Sequence, residues 1–213
     1  MIWIATTALF YFFLALILAL AEIEVEGKFG WAEKLPTWYR TKGWGKLFGL
    51  VTQSRPLTGY HLFINGFVLI FCHIGFFNGA VWTFGTELTL LSRYVVFAAL
   101  WDFLWFVFNP EYGLKRFKKS QIWWHSKCHW IFGIMPGDYL NAFVVSTILA
   151  SLGIIFEGTN ILLNQFVFLG WILGFTAMST FFAPAYGRWY KWMRRKDERD
   201  KAGIFHKGDQ TLE

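Results

Sequence analysis

The feature that most constrains this chain is a series of long apolar runs that contain no charged residue. The runs cover residues 1–21, 56–86, 94–101, 139–156 and 158–187, with the third continuing past Asp102 to residue 110. About 20 apolar residues in a helix span the hydrocarbon core of a bilayer. Charged residues make up only 16% of the chain, against ~25% in ordinary soluble proteins. The sequence therefore predicts an all-α integral membrane protein.

The runs predict about five transmembrane helices, with an interfacial helical loop on the cytoplasmic side. The expected spans are residues 2–21, 57–77, 89–108, 139–156 and 161–184. Residues 1–187 would then form one polytopic membrane domain, and residues 188–213 a basic cytoplasmic tail. The tail begins with Trp and Met among Arg and Lys, so a membrane-surface helix is expected over residues 188–200.

The positions of Lys and Arg predict the orientation of the chain. Of 20 such residues, six lie in 22–56, five in 109–138 and eight in 185–213. Because short basic loops stay on the cytoplasmic side, we expect the N-terminus outside and the C-terminus in the cytoplasm. The formal charge of +6 is then explained by topology and by contact with anionic lipid, and not by nucleic-acid binding.

Residues 101–138 hold most of the unusual polar groups. Asp102 lies inside an apolar run, where an ionisable side chain costs at least ~2.5 kcal/mol unless it is paired or solvated. Pro110 should end that helix near Phe108. His125 and His129 are four residues apart and would share one face if their segment were helical.

With this topology, ionisable and amide side chains from several segments fall at the same membrane depth, near the cytoplasmic boundary. We expect them to form one cavity that opens to the cytoplasmic leaflet. The candidate catalytic residues are Asp102, His125, Glu22 and Glu26. The candidate metal ligands are His125, His129, His61 and Asp138. Further candidates for the site lining are Asn65, Asn109 and Glu24.

Two chemistries fit this set of residues. Histidines combined with carboxylates form a mixed nitrogen and oxygen shell suited to zinc or non-haem iron. The sequence H-S-K-C-H lacks the Glu of the zinc-protease signature H-E-x-x-H, so the identity of a cofactor stays open. Without a metal, the same groups can transfer protons to and from a lipophilic substrate.

Each candidate also has a simpler structural interpretation. The glutamates can be a solvated helix end, and a lone intramembrane histidine is often hydrogen-bonded to a neighbouring helix. Asp102 can be the buried partner of a cation or hydroxyl. Asp138 can be a helix N-cap.

The sequence favours an integral membrane enzyme that acts on a lipid or other lipophilic small molecule. The alternative is a non-enzymatic membrane scaffold or subunit of a complex. A transporter is less favoured, because no inverted repeat and no pair of broken midplane helices is visible.

Overall fold

The computed structural model describes residues 2–198. Within this range the helices are α1 (Ile2–Glu26), α2 (Trp44–Val51), α3 (Gly59–Cys72), α4 (Ile74–Phe77), α5 (Phe84–Phe108), α6 (Gly137–Glu157) and α7 (Asn160–Arg195). Two short antiparallel strand pairs join β1 (Tyr39–Arg40) to β2 (Leu57–Thr58) and β3 (Trp130–Ile131) to β4 (Met135–Pro136). The chain is thus helical, with its small strands confined to loops.

Four helices in the described range, α1, α5, α6 and α7, are long and apolar enough to cross a membrane. The expected multi-pass helical membrane class is confirmed to that extent. The expected span 57–77 is not one helix, because α3 has only 14 residues and α4 begins after a break at His73. The backbone N–H of His73 donates to Ile70 O at 3.0 Å. This bond spans three residues, as in a 3₁₀ turn, instead of the four residues of an α-helical bond. Hydropathy alone does not register such a local turn.

Helix α5 is the centre of the bundle. It contacts α1, α3, α6 and α7, and many of its side chains are fully buried, including Phe97, Leu104 and Phe106. Phe168 of α7 is also fully buried, in T-shaped contact with Tyr11 of α1 at a centroid distance of 5.7 Å. The core is therefore built mainly from aromatic rings around one central helix.

The segments that follow α1 and α5 lie at the same end of the bundle as the last turns of α7. Asn109 Nδ2 donates to Gly27 O at 2.8 Å, and the Tyr112 hydroxyl donates to Lys28 O at 2.9 Å. Tyr186 of α7 contacts the ring of Phe108 at 5.6 Å between centroids. The described parts of the three basic stretches noted in the sequence therefore lie at one end of the bundle.

Helix α7 continues well beyond its expected end at residue 184. Its 36 residues give a length of about 54 Å. Contact between Tyr186 and Phe108 stabilises the helix just past the internal Pro184. The prediction of a separate surface helix from residue 188 is therefore wrong, because this stretch belongs to α7 as far as Arg195. The rest of the tail, residues 199–213, lies outside the described residues.

Candidate functional site

A cavity of about 570 Å³ runs along one face of α5. Its length is lined by Tyr94, Val95, Ala98, Ala99 and Asp102 of that helix. These positions recur every three to four residues, so they lie on one helix face. The cavity is apolar along most of this face and polar where it reaches Asp102.

Two of the residues that line the cavity lie on the exposed surface of the helical bundle. Val144 and Val145 of α6 line it, and their exposed fractions are 48% and 45%. These residues sit on a helix apolar enough to cross a membrane. In a bilayer these two side chains would be near lipid.

Asp102 is the centre of a largely buried polar network at the polar end of the cavity. Its carboxylate accepts a hydrogen bond from the Tyr139 hydroxyl and lies 3.3 Å from His125 Nε2. Arg55 Nη1 lies 3.6 Å from the other carboxylate oxygen. The structure therefore brings together residues from α5, α6 and two loops.

Asp138 and Arg55 extend the same network. Arg55 donates to Asp138, and Asp138 Oδ2 lies 3.6 Å from His125 Nδ1. His125 is completely buried and does not line the cavity. It contacts Asp102, which does line the cavity. The N-cap interpretation of Asp138 is wrong, because the cap position of α6 is Pro136.

The loop before α3 places Arg55 by an unusual backbone conformation. Gln53 and Ser54, directly before it, have positive φ angles of 51° and 79°, a region that non-glycine residues seldom occupy. The guanidinium lies over the ring of Trp31, 4.5 Å from its centroid. Arg55 Nε also donates to Thr52 O at 3.1 Å. The cation is thus fixed from several sides.

Glu22, Glu26 and His61 form a second cluster, which lines the same end of the cavity. One potential ligand atom from each of the three lies within 4.8 Å of the others. Their exposed fractions are only 8%, 7% and 7%. The interpretation of the two glutamates as a solvated helix end is therefore wrong.

The turn after α1 shapes this second cluster. Trp31 and Ala32 have positive φ angles of 46° and 56°, which directs the Ala32 N–H to the carboxylate of Glu26. The same turn places the Trp31 ring against the His61 ring, with 4.0 Å between centroids and an angle of 20°. Sterically costly backbone of this kind is often found at functional sites.

The predicted pairing of His125 and His129 on one helix face is wrong. Residues 123–125 form a single 3₁₀ turn, and Trp130 belongs to a strand that pairs with Pro136. His129 is exposed, and its backbone N–H donates to Gln53 Oε1 at 3.1 Å. The hairpin therefore directs His125 inwards and leaves His129 outside the cavity.

The structure places the three residues predicted to line the cavity in three different environments. Asn65 lines the cavity, and its Oδ1 accepts from the Tyr94 hydroxyl at 3.2 Å. Glu24 is exposed and is not part of the lining. Asn109 is buried but fastens the turn after α1 through Gly27. Only Asn65 therefore takes the expected position.

Sequence reasoning missed Arg55, Tyr139 and Trp31 as parts of the site. In the sequence, Arg55 resembles the other basic loop residues. Tyr139 and Trp31 resemble the aromatic residues expected at a membrane interface. No signal in the sequence separates them from the remaining cations and rings of this chain.

Cys128, which stands between the two histidines in the sequence, lies near the network. Its Sγ is 3.7 Å from His125 Nδ1. Burial raises the pKa of the Cys128 thiol to about 11, so the group is a neutral thiol at physiological pH. His125, Cys128 and Asp138 also have potential ligand atoms within 4.8 Å of one another.

The chain matches no protein-family model, no curated protein and no solved structure.

Proposed function

We propose that this protein is an integral membrane enzyme that acts on a lipid or other lipophilic substrate at the polar end of the cavity. The observation that carries the proposal is the form of the cavity along α5. A cavity with apolar walls along α5 ends on Asp102, the buried Glu22 and Glu26, and the buried His61. Binding sites for small molecules commonly combine apolar walls with a few converging polar groups.

The walls suit a hydrocarbon chain. Ala98 and Ala99 are small, so they leave room beside α5, and Val95 and Val145 supply apolar surface. A volume of about 570 Å³ lies within the ~300–1,000 Å³ typical of small-molecule sites. The substrate would lie along α5 with its reacting group near Asp102.

Asp102 is the proposed general base or acid. Its side chain is 24% exposed and lines the cavity, so it can reach a bound molecule. His125 and Tyr139 contact the same carboxylate and would orient it and share its proton. A catalytic carboxylate held by a second group in this way suits proton transfer.

We place the polar end of the cavity at the cytoplasmic leaflet. The basic stretches that converge at this end would stay in the cytoplasm and would contact anionic lipid. In this arrangement α3 and α4 together would complete a fifth span. The N-terminus would lie outside and the C-terminus inside.

A photoreactive, alkyne-tagged fatty acid tests the binding half of the proposal. Irradiation of the full-length protein in detergent should label α5 and α6 peptides that line the cavity. Ala98→Phe should abolish this labelling because the ring fills the cavity. Ala177→Phe, on an exposed face of α7, is the matched control and should label normally. Equal labelling of the Ala98 variant would overturn the proposal.

Turnover in a total membrane lipid extract tests the chemical half. Mass spectrometry should show a substrate consumed by wild-type protein and by Glu24→Gln, but not by Asp102→Asn. Asn is close in size to Asp and keeps hydrogen-bonding capacity, so the Asp102 variant should melt at nearly the wild-type temperature. If the wild-type protein consumes nothing in the extract, the enzymatic assignment is overturned.

A structural subunit is the second candidate, and one observation favours it. The polar network ties the loop before α3, helix α5, the loop containing His125 and helix α6 through paired groups. Such a network can hold helices together without chemistry. In that case Asp102→Asn would lower the melting temperature strongly, and no lipid would be consumed.

A further inference from the structure

The cluster of Glu22, Glu26 and His61 brings two carboxyl groups and an imidazole together, and within residues 2–198 no Lys or Arg side chain forms an ion pair with any of the three. Both carboxylates are more than nine-tenths buried, and Asp102 lines the same end of the cavity. The nearby cation, Arg55, donates to Asp138 and lies within 3.6 Å of Asp102. Buried carboxylates are stable only when paired, protonated or bound to a metal. A bound metal ion would stabilise both carboxylates at once.

The three side chains lie close enough together for one metal ion to bind all of them. Glu22 and Glu26 are four residues apart on α1 and so share a face. His61 approaches from the first turn of α3. One potential ligand atom from each lies within 4.8 Å of the others. A metal ion between them would bind one nitrogen and two oxygen atoms.

Two of these ligands are also held by neighbours outside the cluster. His61 Nδ1 lies 2.7 Å from Thr58 Oγ1, which leaves Nε2 as the ring nitrogen for a metal. The Ala32 N–H donates to one oxygen of Glu26. Metal-binding histidines usually bond through their other ring nitrogen in this way, and metal-binding carboxylates are usually hydrogen-bonded too.

We infer that Glu22, Glu26 and His61 form a binding site for a divalent transition-metal ion, with its remaining coordination positions open to the cavity. One imidazole with two carboxylates suits zinc, iron(II) or manganese(II). The inference deepens the proposed function, on which it rests for its substrate class. A metal here would bind a lipophile through an oxygen function such as a carbonyl, hydroxyl or phosphate, in the same cavity that Asp102 lines.

One further observation fits an oxygen-bearing substrate. The indole N–H of Trp105 is buried and has no hydrogen-bond partner within residues 2–198. Trp105 lines the cavity and is 3% exposed. An oxygen acceptor on a bound molecule would satisfy this donor.

The other possible ligand set, His125, Cys128 and Asp138, is the weaker site. Asp138 is hydrogen-bonded to the Arg55 guanidinium, so a metal ion there would meet a fixed positive charge. His125 Nε2 is also occupied by Asp102. In the part of the chain that the structure describes, Arg55 forms its ion pairs with Asp102 and Asp138 and not with a residue of the first cluster.

Metal titration of the full-length protein in detergent tests the site without an activity assay. After removal of bound metal with a chelator, Co²⁺ should produce visible absorption with one ion per chain, and Zn²⁺ should displace it. Glu22→Gln and His61→Ala should each weaken binding by more than about 100-fold, since they remove ligands. Cys128→Ser should bind like the wild type.

A pair of cap variants separates the site from general stability. Thr58→Val removes the partner of His61 and the N-cap of α3, and should weaken metal binding by about 10–100-fold. Thr83→Val removes the corresponding N-cap of α5 at the opposite end, and should leave metal binding unchanged. If Thr83→Val weakens metal binding as much as Thr58→Val does, the loss reflects general stability and the inference fails.

The outcomes distinguish this inference from the proposed function. Absence of stoichiometric Co²⁺ binding, or its loss in Cys128→Ser and not in Glu22→Gln, would overturn the metal site. Fatty-acid labelling of the cavity would then still support the proposed function. Metal binding without cavity labelling by the fatty acid would overturn the lipophilic substrate and keep the site.

Discussion

The single guanidinium of Arg55 pairs with two carboxylates, the buried Asp138 and the partly exposed Asp102. It donates to Asp138 and lies 3.6 Å from Asp102, and its own exposed fraction is 8%. Removing one partner of a buried ion pair leaves an uncompensated charge, which is more costly than the pair is favourable. Stability at this end of the molecule should therefore depend on this one residue.

Arg55→Met should destabilise the protein by about 3–5 kcal/mol, measured as a lower melting temperature in detergent. Arg55→Lys should recover part of the loss, because it restores the charge without the forked geometry. Lys42→Met is the control, since Lys42 is exposed, and it should melt like the wild type. An unchanged melting temperature in Arg55→Met would show that the network is already solvated.

Gly30 is required for both its backbone and its missing side chain. Its φ is +67°, and a Cβ there would overlap the indole of Trp124. Gly27 has nearly the same φ, +62°, but open space around its Cα. Comparing an alanine substitution at each position therefore separates the cost of backbone strain from the cost of steric overlap.

Gly27→Ala should cost about 1–2 kcal/mol from the left-handed backbone alone. Gly30→Ala should cost clearly more, because Trp124 must also move. Thermal melting of both variants side by side measures the difference. Equal losses would mean that Trp124 adapts without cost.

At the scale of elements, a series of hydrogen-bonded polar side chains crosses the interior of the bundle. Ser92 Oγ on α5 donates to Gln165 Oε1 at 3.0 Å, and Gln165 Nε2 donates to Ser146 Oγ on α6 at 2.6 Å. All three residues are buried. One side chain of α7 thereby links three long helices.

Gln165→Met should lower the free energy of unfolding by about 1 kcal/mol, since interhelical hydrogen bonds in membranes contribute ~0.6 kcal/mol each. The two serines can partly recover by bonding to their own helix backbone. Asn164→Met, at the neighbouring and less buried position, should have little effect. A larger loss for Asn164→Met would contradict the assigned role of Gln165.

At the scale of the whole molecule, polar groups gather at both ends of the bundle, but basic loops gather at one. The turns after α1 and α5 meet through Asn109 and Gly27. At the other end, Thr83 donates to Glu157 at 2.6 Å. The positive-inside rule then predicts that the end with the basic loops faces the cytoplasm.

Cysteines introduced one at a time at Lys42, Lys118 and Lys196 should react with an impermeant maleimide only after the cells are permeabilised. A cysteine at Asn78, in the exposed turn at the opposite end, should react in intact cells. Wild-type protein controls for the native Cys72 and Cys128. Labelling of the first three positions in intact cells would reverse the proposed topology.

The apolar runs alone determined the helical membrane class and four of the long helices, because hydrocarbon requires every backbone group to be bonded within a helix. They also indicated that Asp102 needs partners. Tertiary structure decided which partners these are. Glu22 and His61 meet across α1 and α3, and Arg55 reaches Asp138 over 83 positions of sequence. His125 and His129 separate because a hairpin, set by local turns, replaces the expected helix. Hydropathy reports burial averaged over many residues, whereas a site depends on single side-chain directions that only long-range contacts fix.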